Sequence, residues 1–253
     1  MTVQELYEKL DAAIPRALSC DWDNDGLLVC PQSNKEAKRV LVALDASMTV
    51  IEKAEKEGYD VIVTHHPLIF HPLAALSDTD PIGARVLRLA RAGIAVMSFH
   101  TRLDAVEGGV NDTMAKQLGL HDVSPFCGDG MGRVGTLPAP LSLSAFADLF
   151  KSVTGAPAVT AADAGKAVHR VALLGGAGAD TYTDALRAGA DTLLTGEERH
   201  NCYAEAQECG INLICGGHYY TENIVCQTLA SLVNRIAPDT AVTVADSCPC
   251  VTL

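Results

Sequence analysis

Two stretches of this chain share one register, and that repeat limits the folds open to it. Arg39-Val40 opens an apolar strand-like run (RVLVAL), and Thr64 closes the next (VIVT) 25 residues later. Arg170-Val171 opens a second such run, and Thr195 closes its partner, again 25 residues later. In that register Ala54 falls on Ala185, Gly58 on Gly189, Asp60 on Asp191, and His65-His66 on Gly196-Glu197. Each stretch reads strand, helix, strand, which implies parallel strands with a crossover helix. The economical account is a duplicated unit. The expected fold class is α/β, with two similar α/β lobes from an internal duplication and a metal site in the cleft between them.

The rest of the chain fits the alternation. Helices are expected at 3–13, 47–58, 82–92, 109–118, 143–152, 179–188, 199–208 and 221–235. Strands are expected at 39–44, 60–64, 94–99, 169–174, 191–195, 211–215 and 241–245. The Gly- and Pro-rich middle (PFCGDGMGRVGTLPAP) breaks the pattern. These signals predict an N-terminal lobe at 1–125, a connecting segment at 126–168 without a large inserted domain, and a C-terminal lobe at 169–253.

Chemistry gathers where the strands end. VIVT runs into His65-His66-Pro67, GIAVMSF into His100, and GINLIC through two glycines into His218. Asp104 follows His100 by four residues, and Glu222 follows His218 by four. Residues i and i+4 at a helix start share a face, so each pair can present an imidazole and a carboxylate to one point. Such donors suit a transition-metal ion. Adjacent histidines in a strand would point to opposite faces. At a strand end, held by Pro67, His65 and His66 can diverge modestly and serve two ions.

Glu197 and His200 (TGEERH) are candidate proton carriers, as is His100. Asp45, at a strand end, could reach the same cleft. His71, His121 and His169 have no partners at a useful spacing and are expected to be structural or surface groups. Gly175-Gly176-Ala177-Gly178 follows a strand but lacks the third glycine of a dinucleotide loop. There is no phosphate loop, no HExxH helix and no GxSxG elbow.

The formal net charge is −12. An acidic surface repels phosphate backbones and anionic lipid, so nucleic acid and membrane are poor default partners. Apolar residues make up 48% of the chain but fall in short runs, well below the roughly 20 residues of a membrane span. The polar, acidic N-terminus does not resemble a signal peptide, and the expected location is cytoplasmic. Nine cysteines without a CxxC pair do not suggest a disulfide framework.

DWDNDGLLVC (21–30), VIVTHHPLIF (61–70), HTRLDAVEGGVND (100–112), TGE (195–197) and GGHYYTE (216–222) together resemble the Nif-three-like dinuclear-metal family. Its bacterial members are often named GTP cyclohydrolase 1 type 2 homologues. The resemblance spans nearly the whole chain. It implies two α/β lobes, a two-metal site and ring-shaped homohexamers. Carried over by motif, His65, His66, Asp104, His218 and Glu222 are the metal ligands, and His100 lies at the site as ligand or proton carrier. The implied cofactor is two divalent ions per chain, zinc first, with iron, manganese, cobalt or nickel also suited. The chain departs from the family pattern at Arg102, where Asn is common, at Asp25, where an apolar residue is common, and at Cys30, where Gly is common. Arg102 is expected to bring positive charge towards a substrate phosphate.

The functional expectation is a dinuclear-metal-binding protein acting as a metal-dependent hydrolase on a small molecule, a nucleotide or other phosphorylated compound. The alternative is a metal-handling protein for storage or delivery, or a regulatory interaction protein without turnover.

Overall fold

The structure is a computed structural model that describes residues 1–128 and 130–252. The chain runs through α1 (Val3–Ala13), β1 (Gly26–Val29), β2 (Arg39–Ala43), α2 (Met48–Glu57), β3 (Val61–Thr64), α3 (Pro81–Ala92), β4 (Ala95–Ser98) and α4 (Thr101–Ala105). It continues through α5 (Val110–Gln117), β5 (His121–Phe126), β6 (Gly132–Leu141), α6 (Leu143–Thr154), β7 (Thr160–Ala162), β8 (Val168–Leu174) and α7 (Tyr182–Arg187). It ends with β9 (Thr192–Thr195), α8 (His200–Glu208), β10 (Asn212–Cys215), α9 (His218–Glu222), α10 (Val225–Ile236) and β11 (Ala241–Val244). This is a mixed α/β fold with two sheets. Among the described residues no helix is long and apolar enough to cross a membrane.

Two compact units divide the chain, Met1–Leu103 with Cys226–Pro249, and Asp104–Val225 with the residues from Cys250. These cuts differ from the expected boundaries at 125 and 168, for two reasons. Strand β11 returns to the first sheet and pairs in parallel with β2, Val242 opposite Val40. Segment 126–168 supplies β6 and β7 to the second sheet rather than only connecting. Strand β6 reads poorly in sequence because Gly135, Pro138 and Pro140 interrupt its alternation.

Within each unit the repeated register is a register of hydrogen-bonded strands. Val40 pairs with Val61 across β2 and β3, and Val171 pairs with Thr192 across β8 and β9. The third parallel strand pairs alike, Thr64 with Ser98 and Thr195 with Cys215. An antiparallel strand closes that edge in both sheets, β1 beside β4 and β7 beside β10. Gly58 and Gly189 adopt positive φ, 69° and 79°, where their helices turn towards the next strand. Asp60 then accepts the backbone N–H groups of Lys38 and Arg39, and Asp191 those of His169 and Arg170. The repeated aspartates therefore fasten the start of one parallel strand to the start of its neighbour.

The third strands correct one detail. Their pairing makes Ser98 and Cys215 equivalent, so His100 falls on Gly217 and Thr101 on His218. The two HxxxD/E segments are thus out of step by one residue, because the second strand runs through an extra glycine before its histidine.

All four residues of β3, β4 and β9 are buried, as strands covered on both faces require. In the first unit Leu41, Ile62 and Val96 pack with Val50, Ile51, Ala54 and Leu89 of α2 and α3. In the second, Leu173, Leu194 and Ile214 face Phe146 and Phe150 on one side of the sheet. Ala172, Leu193 and Leu213 face Ala185, Cys202 and Ala206 on the other. Asp191→Ala removes the acceptor of the backbone bonds at the start of β8. It should lower unfolding free energy by about 2 kcal/mol in urea titration, and Asp60→Ala should do the same in the first unit.

Candidate metal centre

Strands β3 and β4 end side by side, and Phe99 N–H donates to the Thr64 carbonyl at 2.9 Å. The residues just beyond those ends, His65, His66 and His100, are therefore neighbours at the C-terminal edge of the sheet, where α/β folds place ligands. The Thr64 hydroxyl donates to the His66 carbonyl at 2.8 Å and turns the chain out of the strand. His66 N–H is taken by the Leu44 carbonyl at the end of β2. The adjacent histidines consequently share one side, with ring centroids 5.0 Å apart. The His100 ring lies 5.3 Å from His65 and 5.8 Å from His66.

Each ring is held from behind by Nδ1. His65 donates to the Phe99 carbonyl at 2.9 Å, His66 to Asp45 at 2.8 Å, and His100 to Asp23 at 3.0 Å. A carbonyl or carboxylate can only accept, so Nδ1 is the donor, and a ring in its neutral form then has its lone pair on Nε2. Metal-binding histidines are commonly oriented this way. One ligand atom from each of His65, His66 and His100 can be chosen so that all lie within 4.8 Å of one another. The group could hold a metal ion, and its imidazole nitrogens suit a divalent first-row metal.

Asp23 is the residue that sequence reasoning passed over, although it lies in a quoted motif. It is buried, and burial opposes its ionisation. Hydrogen bonds from His100 and Thr101, with the charge of His100, outweigh that and hold its carboxyl at about 2. It accepts both the backbone N–H and the hydroxyl of Thr101, at 3.0 and 2.7 Å. The same carboxylate thus caps α4 and aims His100. Asp45 at the end of β2, noted from sequence only as within reach, is the anchor of His66.

Arg102 departs from its expected role. It is fully buried and points into the first unit's own interior rather than towards a substrate. Its guanidinium binds Asp25 at 2.8 Å, Asp11 at 2.6 Å and the Ile14 carbonyl at 2.8 Å, and lies 4.6 Å above the Phe99 ring. Asp25 also binds Arg16 at 2.8 Å and takes the His100 backbone N–H at 3.1 Å. Asp25 and Arg102, singled out separately in the sequence, are therefore one feature, a buried ion pair beneath His100.

The second unit carries its own group. His218 opens α9 and Glu222 ends it, and their side chains meet at 2.9 Å as the four-residue spacing predicts. The other nitrogen of His218 contacts Glu197, at 3.0 Å. Glu222 is buried, whereas Glu197 is exposed at the end of β9. A Cβ on Gly176 would stand 2.4 Å from Glu222 Oε1 and 3.2 Å from His218 Nε2. The glycines after β8, which resemble a weak dinucleotide loop in sequence, are instead the backbone wall against which Glu222 lies. Asn111 N–H groups donate to the carbonyls of Asp104 and Met131, and its Oδ1 accepts from Gly175 N–H at 2.9 Å. Asp104 itself is buried in α4. His200 is exposed at the start of α8, and among the described residues no hydrogen bond or ion pair joins it to Glu197, His218 or Glu222. His71, His121 and His169 are exposed, in keeping with the sequence.

Arg102→Asn should destabilise the protein by about 3 kcal/mol, because it leaves Asp25 and Asp11 short of a buried partner. Adding Asp25→Val should recover part of that loss in a double-mutant cycle read by urea unfolding. Strict additivity of the two changes would contradict the buried pair.

A family model described as Duf34/NIF3 (NGG1p interacting factor 3) matches residues 1–249. A Clostridium perfringens protein named GTP cyclohydrolase 1 type 2 homolog is 31% identical over 229 residues, covering 88% of this chain and 87% of that protein. A Schizosaccharomyces pombe protein named NIF3 homolog is 32% identical over 249 residues, covering 90% and 88%. The crystal structure of a Staphylococcus aureus hypothetical protein superposes with a TM-score of 0.92 at 25% identity, covering 100% of this chain and 99% of that one.

Proposed function

The chain belongs to the Duf34/NIF3 family, and we propose that it binds two divalent ions and acts as a metal-dependent hydrolase on an anionic small molecule. His65, His66, Asp104, His218 and Glu222 are the ligands in this reading, with His100 beside them. The observation that carries it is the set of imidazoles at the ends of β3 and β4, each fixed through Nδ1 and each able to offer one ligand atom within 4.8 Å of the others. The close fit of Gly176 against Glu222 and His218 supports it from the second unit. Zinc is the first candidate, with iron, manganese, cobalt or nickel equally compatible with nitrogen and oxygen donors.

Divalent ions at such residues would supply Lewis acidity, lower the pKa of water and draw an anionic substrate to an acidic protein. The chain's own residues have separate tasks. Asp23 keeps the proton of His100 on Nδ1, so Nε2 can accept or return a proton at the reacting group. Glu197 holds His218 from its exposed side. His200, open to solvent, is the candidate for proton exchange with bulk water. The names of the relatives suggest a cyclohydrolase acting on a purine nucleotide, and phosphoester or amide hydrolysis needs the same parts. Self-association as a homohexamer and a cytoplasmic location complete the proposal.

Elemental analysis tests the ligands. His65→Ala, Asp104→Ala and Glu222→Ala should each bind less metal than the parent's expected ~2 ions per chain. Unchanged metal in all three would remove the assignment. Asp23→Ala and Asp45→Ala should retain the ligands but weaken metal affinity by roughly 10- to 100-fold, read by competition with a chelating dye. Activity is a separate question. A screen of the metal-replete protein over nucleotides, phosphoesters and cyclic amides should find turnover that Glu222→Ala lacks. Equal turnover in the variant would exclude the enzyme reading, and metal binding without turnover would favour storage or delivery.

A further inference from the structure

Beside the histidines of the first unit stands an aromatic group that the metal reading does not use. Trp22, the only tryptophan of the chain, is 61% exposed. Phe70, on the segment after β3, is 39% exposed. Their ring centroids are 6.0 Å apart, edge to face. Both rings also meet His100 edge to face, Trp22 at 6.2 Å and Phe70 at 6.0 Å. His71 extends the group, 4.7 Å from Phe70. The aromatic surface is thus continuous with the imidazole cluster.

The group is fixed in place. Trp22 precedes Asp23, whose carboxylate is tied to His100 and Thr101. Asn24 donates to the Ile69 carbonyl at 2.5 Å, which joins the Trp22 loop to the Phe70 segment. Asp23 N–H closes a turn on the Cys20 carbonyl. Two large rings held partly exposed beside the imidazoles offer an apolar surface that a planar group can cover. The edge-to-face contact of that surface with His100 joins it to the imidazoles, which fits a small ligand reaching from the rings to the histidines.

We propose that Trp22 and Phe70 form a ring-binding subsite, which takes a planar aromatic or heteroaromatic part of a small molecule whose other end lies at the histidines. The ring end stands on the aromatic geometry alone. Only the placement of an anionic end rests on the metal reading above.

Trp22 is its own reporter. Guanosine should shorten the fluorescence lifetime of Trp22 saturably, with or without metal, whereas ribose should not. In the metal-replete protein, GMP should bind more tightly than ribose 5-phosphate by calorimetry. Trp22→Ala and Phe70→Ala should each weaken GMP by about tenfold, the scale of one lost base–aromatic contact. Trp22→Phe should restore part of the affinity. Metal content and ribose 5-phosphate affinity should stay at parental values in all three variants. Guanosine and ribose acting alike on Trp22, or GMP binding that ignores these substitutions, would overturn the subsite while leaving the metal assignment standing. Variants that bind GMP normally but dissociate an oligomer would also overturn it, and would assign the patch to contact with another copy. Loss of metal from the parent protein would remove the metal reading and leave the guanosine arm as the test of this one.

Discussion

The ladder between β3 and β4 is the constraint on which the candidate site of the first unit rests. Parallel pairing in a fixed register makes Thr64 and Ser98 neighbours, and so makes the next residues of both strands neighbours too. A slip of one residue would turn His65 and His66 to other faces. Nothing in the imidazoles themselves brings them together. The fully buried strands do, because apolar burial on both faces leaves one register favourable.

Histidines so placed still need orientation, and the chain supplies it from outside the strands. Asp23, Asp45 and the Phe99 carbonyl each fix one ring through Nδ1. Asp25 and Arg102 support the backbone of His100 from beneath. In the second unit the corresponding work falls to glycine, since Gly176 leaves room that any side chain would fill. The two units thus repeat their strand register but not the means by which they hold polar groups.

Period and spacing made much of this legible. The 25-residue register and the strand ends carrying histidine stand in the sequence as they stand in the fold. The four-residue step from His218 to Glu222 became a direct contact. What sequence could not give were partners far apart in the chain. Asp23 meets His100 across 77 residues, and Asp25 meets Arg102 across another 77. Strand β11 lies beside β2, though the expected C-terminal lobe at 169–253 included it. No local periodicity records such pairings. The one-residue offset between the HxxxD and HxxxE segments was hidden for another reason. A glycine in an irregular turn leaves no trace in hydrophobic pattern, and only pairing reveals it.

The buried pair of Asp25 and Arg102 has a consequence for how such a chain can change over generations. Replacing either partner alone leaves the other with part of its pairing, Asp25 with Arg16 and Arg102 with Asp11, while replacing both removes the two buried charges together. The two substitutions are therefore expected to be non-additive in stability, each better tolerated with the other than alone.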